Sequence, residues 1–310
     1  MKMKGYTVIR PSNHDEWLEI RKNGIGSSEV GTLLGLNPFQ TAYGLWEAKL
    51  GLVPPTEENF AMKAGHYLEP AVAQFFADET GAKIIKNSAI DFIVRDDDKP
   101  FLQASPDRYF TIGKEKCILE CKTTQNSIDA DDLPKHWYVQ VMYQLGINRI
   151  KRGAIAWLTA GREFGFRWIE YDDELFKFIV SKVEEFWWVN VCGNQEPAIA
   201  NSSDIERKFK NPEGDMTADN SLINDIDQLR TLKRTRKEID GKIDELEEGI
   251  KMHMLGKERI VTDEGRVLVT WRKSKESVKL DSERLKKERA DIYSQFKVSN
   301  AGTRRFMVNG

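Results

Sequence analysis

The chain has 310 residues, with 47 Lys and Arg against 49 Asp and Glu, so its formal charge is only −2 although 31% of its residues are charged. That balance excludes a uniformly basic DNA coat but not a local nucleic-acid site, because affinity follows where cations cluster rather than their sum. A hydrophobic fraction of 40% supports a large core, while no apolar run approaches the roughly 20 residues that cross a bilayer, so a cytoplasmic protein is expected.

Taken in chain order, the hydrophobic spacing predicts helices over His14–Lys22, Ser27–Leu34, Ala42–Leu50 and Asn59–Thr80. Strand-like runs follow at Ala82–Lys86, Ile90–Arg95, Leu102–Ala104, Arg108–Ile112 and Cys117–Lys122. A helix over Pro134–Gly146 comes next, with Asp131 or Asp132 as its cap and Pro134 in its first turn. Strands over Gly153–Leu158 and Phe164–Tyr171 then flank a hairpin turn, and a helix over Asp172–Val191 closes the region. This alternation is the texture of a mixed α/β or α+β domain, assigned to residues 1–197.

Residues 198–219 are polar and broken by Pro212 and Gly214, the composition of a linker. In residues 220–310, Leu222, Ile226, Leu229, Leu232, Arg236, Ile239, Ile243, Leu246 and Ile250 keep a three-to-four-residue spacing that predicts one long amphipathic helix. A strand pair over Arg259–Asp263 and Arg266–Arg272 and a charged helix from Asp281 complete a helix–hairpin–helix module. From Lys251 to Gly310 there are 15 Lys and Arg against 8 Asp and Glu, so this module is a candidate DNA, partner or oligomer contact.

The stretch richest in chemistry is Ser105-Pro106-Asp107, followed thirteen residues after the aspartate by Glu120-Cys121-Lys122. On a strand, Glu120 and Lys122 share one face and Leu119 and Cys121 the other. The turn Gly113-Lys114-Glu115-Lys116 can return the chain beside Arg108–Ile112, so the carboxylates of Asp107 and Glu120 would converge. Two carboxylates, with the Cys121 backbone carbonyl as a third oxygen, suit a hard divalent cation such as Mg²⁺, and Lys122 would orient a water and offset charge on a phosphate. The three cysteines contain no C-x-x-C pair and read as reduced packing residues. His66, three residues before Glu69, reads as a capping or packing histidine.

The P-D then E-x-K pattern resembles the PD-(D/E)XK nucleases, and its surroundings resemble the phage-type alkaline exonucleases, the YqaJ viral recombinase family similar to lambda exonuclease. The residues that carry this resemblance are Arg21 with the Gly24-Ile25-Gly26-Ser27-Ser28-Glu29 turn and then Leu34-Gly35-Leu36-Asn37-Pro38-Phe39, Leu45-Trp46, Gly65-His66-Tyr67-Leu68-Glu69-Pro70, the Ser105-Pro106-Asp107 to Glu120-Cys121-Lys122 core, and the helix from Trp137 to Leu145.

The resemblance implies a PD-(D/E)XK restriction-endonuclease-like α/β (α+β) core, a central mixed sheet flanked by helices. It implies Mg²⁺-dependent hydrolysis, with Mn²⁺ as a substitute, that resects double-stranded DNA ends 5′ to 3′ and leaves 3′ single-stranded tails. Asp107 and Glu120 match the family's metal ligands, Lys122 its catalytic lysine and Glu69 an additional acid of the site. Arg21, Ser28, Ser105 and Gln140 match positions holding the 5′-terminal phosphate, with Gln144 one turn on as the alternative to Gln140. The resemblance also implies a phage or prophage origin in a bacterial host, a single-strand annealing partner, and a homo-oligomeric ring around DNA. The competing expectations are an endonuclease or single-strand-preferring nuclease on the same fold, or a non-catalytic end-binding recombination adaptor.

Overall fold

The structure, a computed structural model, describes residues 5–55, 58–85, 92–276, 278, 280–298 and 304–308. The chain divides into two compact units, Met1–Lys210 and Asn211–Gly310.

In the first unit the order is β1 (Tyr6–Ile9), α1 (His14–Lys22), a 3-10 turn (Ser27–Glu29), α2 (Val30–Leu33), α3 (Ala42–Lys49), α4 (Phe60–Thr80), β2 (Lys83–Ile85), β3 (Ile93–Asp96), β4 (Gln103–Ala104), β5 (Arg108–Ile112) and β6 (Glu115–Thr124). Then come α5 (Lys135–Asn148), β7 (Arg152–Thr159), β8 (Glu163–Glu170), α6 (Asp173–Glu185), a π-helical continuation (Phe186–Cys192) and α7 (Ser202–Lys208). The expected strand residues Lys86, Ile90 and Asp91 lie outside the described residues.

The central sheet has five strands in the order β2-β5-β6-β7-β8. It is mixed: β6 and β7 run parallel, and the other neighbours are antiparallel. A parallel neighbour needs a crossover, and α5 supplies it between β6 and β7. A three-stranded antiparallel sheet, β1-β3-β4, stands beside it. The alternation of β6 divides the core between its faces. Cys117 and Leu119 belong to a cluster with Val72, Ala73 and Phe76 of α4, and Ile118 packs with Val141 and Leu145 of α5. Glu120 and Lys122, on the Ile118 face by alternation, therefore point toward α5.

Three features depart from the sequence reading. Pro134 itself is the N-cap of α5 with no side-chain cap; Asp131 and Asp132 are held in a separate turn by Asp129. The helix expected to run to Val191 widens into a π-helical stretch from Phe186, where Trp46 Nε1 donates to the Asn190 carbonyl at 3.0 Å. The segment expected as a linker holds α7, anchored by a fully buried Asp204. That carboxylate accepts from Thr41 Oγ1 at 2.7 Å and from the Ala200 amide at 2.9 Å, and it pairs with Arg207.

The second unit contains α8 (Asn220–Met254), the antiparallel pair β9 (Arg259–Val261) and β10 (Val267–Thr270), and the short helices α9 (Ser282–Glu288) and α10 (Ala290–Gln295). Asp219 caps α8 by accepting from the Leu222 amide.

Candidate active site

Asp107 sits in the turn entering β5. Its Oδ2 accepts a 2.7 Å hydrogen bond from the backbone N–H of Cys121, which ties the aspartate across to β6. The β5–β6 ladder ends at the Arg108–Leu119 pair, so Cys121 lies past the last paired residue on that edge. The N–H and C=O of one strand residue face the same edge, so the Cys121 carbonyl also faces the Asp107 side.

Glu120, only 3% exposed, is the hub. Its Oε1 accepts from Lys122 Nζ at 2.7 Å and Gln140 Nε2 at 2.5 Å, and its Oε2 accepts from Gln144 Nε2 at 2.8 Å. Gln140 Oε1 in turn accepts from Lys122 Nζ at 3.0 Å. A buried carboxylate is costly unless its lone pairs are met, and these donors meet three of about four, leaving one on Oε2. Gln140 and Gln144, one turn apart on α5, point together into the cluster.

The electrostatics show crowded negative charge. Burial, then the carboxylates of Glu120 and Glu69, push Asp107 well above the usual aspartate range. Burial alone would lower Lys122, but the charges of Glu120 and Asp107 and the hydrogen bond Lys122 donates to Glu120 together hold it above its ordinary value, so it is an ammonium at neutral pH. Burial and the Lys122 charge hold His136 below its usual value. His136 precedes Gln140 by one turn on α5, where Gly31 allows close approach: a Cβ there would stand 2.8 Å from His136 Cβ.

Glu69, on α4, is ion-paired with Arg108, whose Nη1 also donates to the Asp107 carbonyl at 2.6 Å. Glu69 thus lies within electrostatic reach of Asp107 while its carboxylate is engaged by a cation. Among the described residues, no group of three or more His, Cys, Asp or Glu is placed to hold a metal ion. His66 pairs with Glu58 at 3.0 Å.

Arg21 and Ser28 are brought together, Arg21 Nη2 donating to Ser28 Oγ at 3.2 Å. Both stand on a support that the sequence reading missed. Glu29 pairs with Arg21 at 3.3 Å and with the buried Lys49 at 2.8 Å, and it accepts from the Gly26 amide at 2.7 Å. Gln144 links this turn to the acid cluster by donating also to Ser27 Oγ at 3.2 Å. Ser105 is placed differently: its hydroxyl donates to the Phe92 carbonyl at 2.7 Å. Gln140 is engaged by Lys122 and Glu120 rather than by Arg21 or Ser28. The Q-x-x-x-Q spacing in an otherwise apolar helix was the available signal for Gln144, because two amides on one face of a buried helix need polar company.

Fold and site together define a class: a mixed α/β protein with a buried aspartate–glutamate–lysine cluster where the central sheet's parallel strand emerges beneath a helix. Residues 16–151 match the YqaJ-like viral recombinase domain. The chain is 34% identical over 300 residues to the uncharacterized protein YqaJ of Bacillus subtilis (strain 168), covering 92% of this chain and 91% of that protein. It belongs to the YqaJ-like viral recombinase family. Among solved structures, the alkaline exonuclease LHK-Exo from Laribacter hongkongensis is similar with a TM-score of 0.45 and 18% identity, over 64% of this chain and 98% of that one. A phage related exonuclease from Haemophilus somnus 129PT is similar with a TM-score of 0.41 and 13% identity, over 56% and 96%.

Proposed function

We propose that the cluster around Glu120 is the catalytic centre of a PD-(D/E)XK-type, Mg²⁺-dependent deoxyribonuclease that resects double-stranded DNA ends 5′ to 3′, leaving 3′ tails for phage-type recombination. The observation that carries this reading is the junction of Asp107 with the Cys121 amide and of Glu120 with Lys122, which gathers one carboxylate from the turn before β5 with a second carboxylate and an ammonium from β6. Family membership as a viral recombinase agrees with it.

The donor set suits a hard divalent cation. The mutual repulsion that raises Asp107 is what a cation would relieve, and carboxylate and carbonyl oxygens are the ligands Mg²⁺ prefers. Asp107, Glu120 and the Cys121 carbonyl would hold it, and Glu69 would join from α4 only by leaving Arg108. A bound Mg²⁺, or Mn²⁺ in its place, would supply Lewis-acid polarisation of the phosphodiester and acidify a water.

The chain's own residues do the rest. Lys122, held charged, donates to the attacking water or a phosphate oxygen and offsets the negative charge that builds there. Gln140 positions the Lys122 ammonium by accepting from it, and Gln144 fixes the far oxygen of Glu120. Arg21 and Ser28 offer a guanidinium fork and a hydroxyl to a terminal 5′-phosphate beside the Gly26 turn. Ser105 and Gln140 would complete that pocket only by giving up their present partners. Residues 220–310 serve as an accessory module for DNA, oligomer or partner contact, the partner being a single-strand annealing protein that takes the exposed tail.

The test uses linear duplexes labelled at one end and differing only in the 5′-phosphate, with wild type and Lys122→Met. Wild type should release nucleotides from the 5′ end and prefer the phosphorylated duplex, and Lys122→Met should bind ends but not digest them. Digestion indifferent to the 5′-phosphate would remove the Arg21–Ser28 role and favour an endonuclease. Full digestion by Lys122→Met would remove the catalytic assignment.

A further inference from the structure

We infer that α8 is a self-association helix that pairs antiparallel with α8 of a second copy of this chain. The inference stands apart from the nuclease reading, and either can fail without the other.

Every residue from Arg230 to Ile250 is exposed, yet the segment carries a continuous apolar stripe. Leu232, Ile239, Ile243, Leu246 and Ile250 are 40 to 69% exposed, a seam on a helix of 35 residues, and the Phe306 ring of the C-terminal segment lies near Lys233 beside it. Their spacing, with Leu229 and Arg236, follows a heptad in which 229, 236, 243 and 250 alternate with 232, 239 and 246. A stripe of that period buries itself against another helix.

The charges identify which helix. Arg230 to Lys237 contains five cations (Arg230, Lys233, Arg234, Arg236 and Lys237) and no acid, whereas Glu238 to Glu248 contains six acids and a single lysine, Lys242. The sign reverses at the Lys237–Glu238 peptide. An antiparallel copy centred on that peptide lays the basic block of each helix along the acidic block of the other. A parallel copy in register would set five cations against five cations and face Arg236 with Arg236.

The apolar seam has the same centre. Leu229 and Leu246 are equidistant from the Lys237–Glu238 peptide, as are Leu232 and Ile243, and Arg236 and Ile239. Antiparallel pairing about this point therefore stacks Leu229 on Leu246, Leu232 on Ile243 and Arg236 on Ile239, twice each by symmetry. Positions flanking the seam fall into register as well, since Lys233 of one copy and Asp240 of the other border the same two layers. Arg236 is the one polar residue among these layers; its stem covers Ile239 while its guanidinium reaches outward, where Asp240 already lies 3.6 Å away on its own helix. A single polar residue in the seam sets the register at some cost in affinity. That the hydrophobic and the charge pattern share one dyad makes a second copy of this chain the occupant that fits.

The test is made on the full chain by sedimentation equilibrium over a range of concentrations. The expected species has twice the 35.7 kDa mass of one chain. K233E and D240K each set like charges together at both symmetric positions and should weaken association about tenfold, whereas K233E/D240K should return it to within about threefold of wild type. Both sites are exposed in the single chain, so the unfolding midpoint should not move. For orientation, L232C and I243C are prepared separately in a C192S background and oxidised. The mixture should give an interchain disulfide between positions 232 and 243, and L232C alone should give none. A monomer at all concentrations, additive weakening in K233E/D240K, or a disulfide joining two copies of L232C would overturn the inference.

Discussion

Glu29→Gln isolates the support beneath Arg21 and Ser28. Lys49 is buried to 4% exposure of its side chain, and its ammonium donates to both Glu29 oxygens at 2.8 and 3.0 Å and to the Arg21 carbonyl at 2.8 Å. Burial pulls Lys49 down even with Glu29 present, so the ammonium persists because Glu29 opposes that pull. Removing the glutamate charge leaves a buried cation with only neutral acceptors, the Arg21 carbonyl and the new amide oxygen, a loss of about 3 to 5 kcal/mol, limited by how readily Lys49 gives up its proton.

Lys49→Met should cost less, about 1 to 2 kcal/mol, because Glu29 keeps Arg21 and the Gly26 amide. The double variant should therefore be more stable than Glu29→Gln alone, a coupling typical of neighbours in one ionic network. The pH dependence has a definite sign. Burial would raise Glu29, but Lys49 and Arg21 hold it below 4.5, so its contribution is present above pH 4.5 and is lost as the pH falls through the folded value. Urea unfolding of the four proteins from pH 3 to 8 is the assay. A Glu29→Gln cost below about 1 kcal/mol at pH 7, or a gap from wild type that stays constant down to pH 3, would refute the reasoning.

Gln144→Leu strips the donor from Glu120 Oε2 and Ser27 Oγ and should cost about 1 to 3 kcal/mol in urea unfolding, with a larger loss of cleavage than of end binding. His136 should titrate below 6.5 by NMR, and Lys122→Met should move that midpoint upward, since the lysine charge is one of its two depressing causes. With its folded value lowered, His136 favours the folded state above pH 6.5 and penalises it as the pH drops through that value. Asp204→Ala should leave the amide of Ala200 and the hydroxyl of Thr41 without their acceptor, so limited proteolysis between residues 195 and 215 should accelerate at least about tenfold while the unit's core stays folded.

The strands and helices that carry strong periodicity were legible in the sequence. Arg108–Ile112 and His14–Lys22 fall where the pattern places them, and the alternation along Cys117–Lys122 puts Glu120 and Lys122 on one face. Long-range partners were not legible. Nothing local ties Glu29 to Lys49 twenty residues later, or Asp204 to Thr41 across 163 residues. The same limit applies to Gln140, a polar side chain that is only 8% exposed because α5 is clamped between the sheet and α2. Trp188 is the converse case: an aromatic in an apolar run, it is 58% exposed on the π-helical stretch. The α7 segment was hidden because its polar composition matches a linker, and only the burial of one aspartate fixes it.

The central claim is that Asp107 and Glu120 form a divalent-cation site that cuts DNA. It is tested most directly by Mg²⁺ titration of wild type, Asp107→Asn and Glu120→Gln, following heat of binding and hydrolysis of a 5′-phosphorylated linear duplex in parallel. The account predicts that each variant stays folded, loses the binding heat, and cuts at least about a hundredfold more slowly than wild type. Either variant binding Mg²⁺ and digesting the duplex at close to the wild-type rate would contradict it.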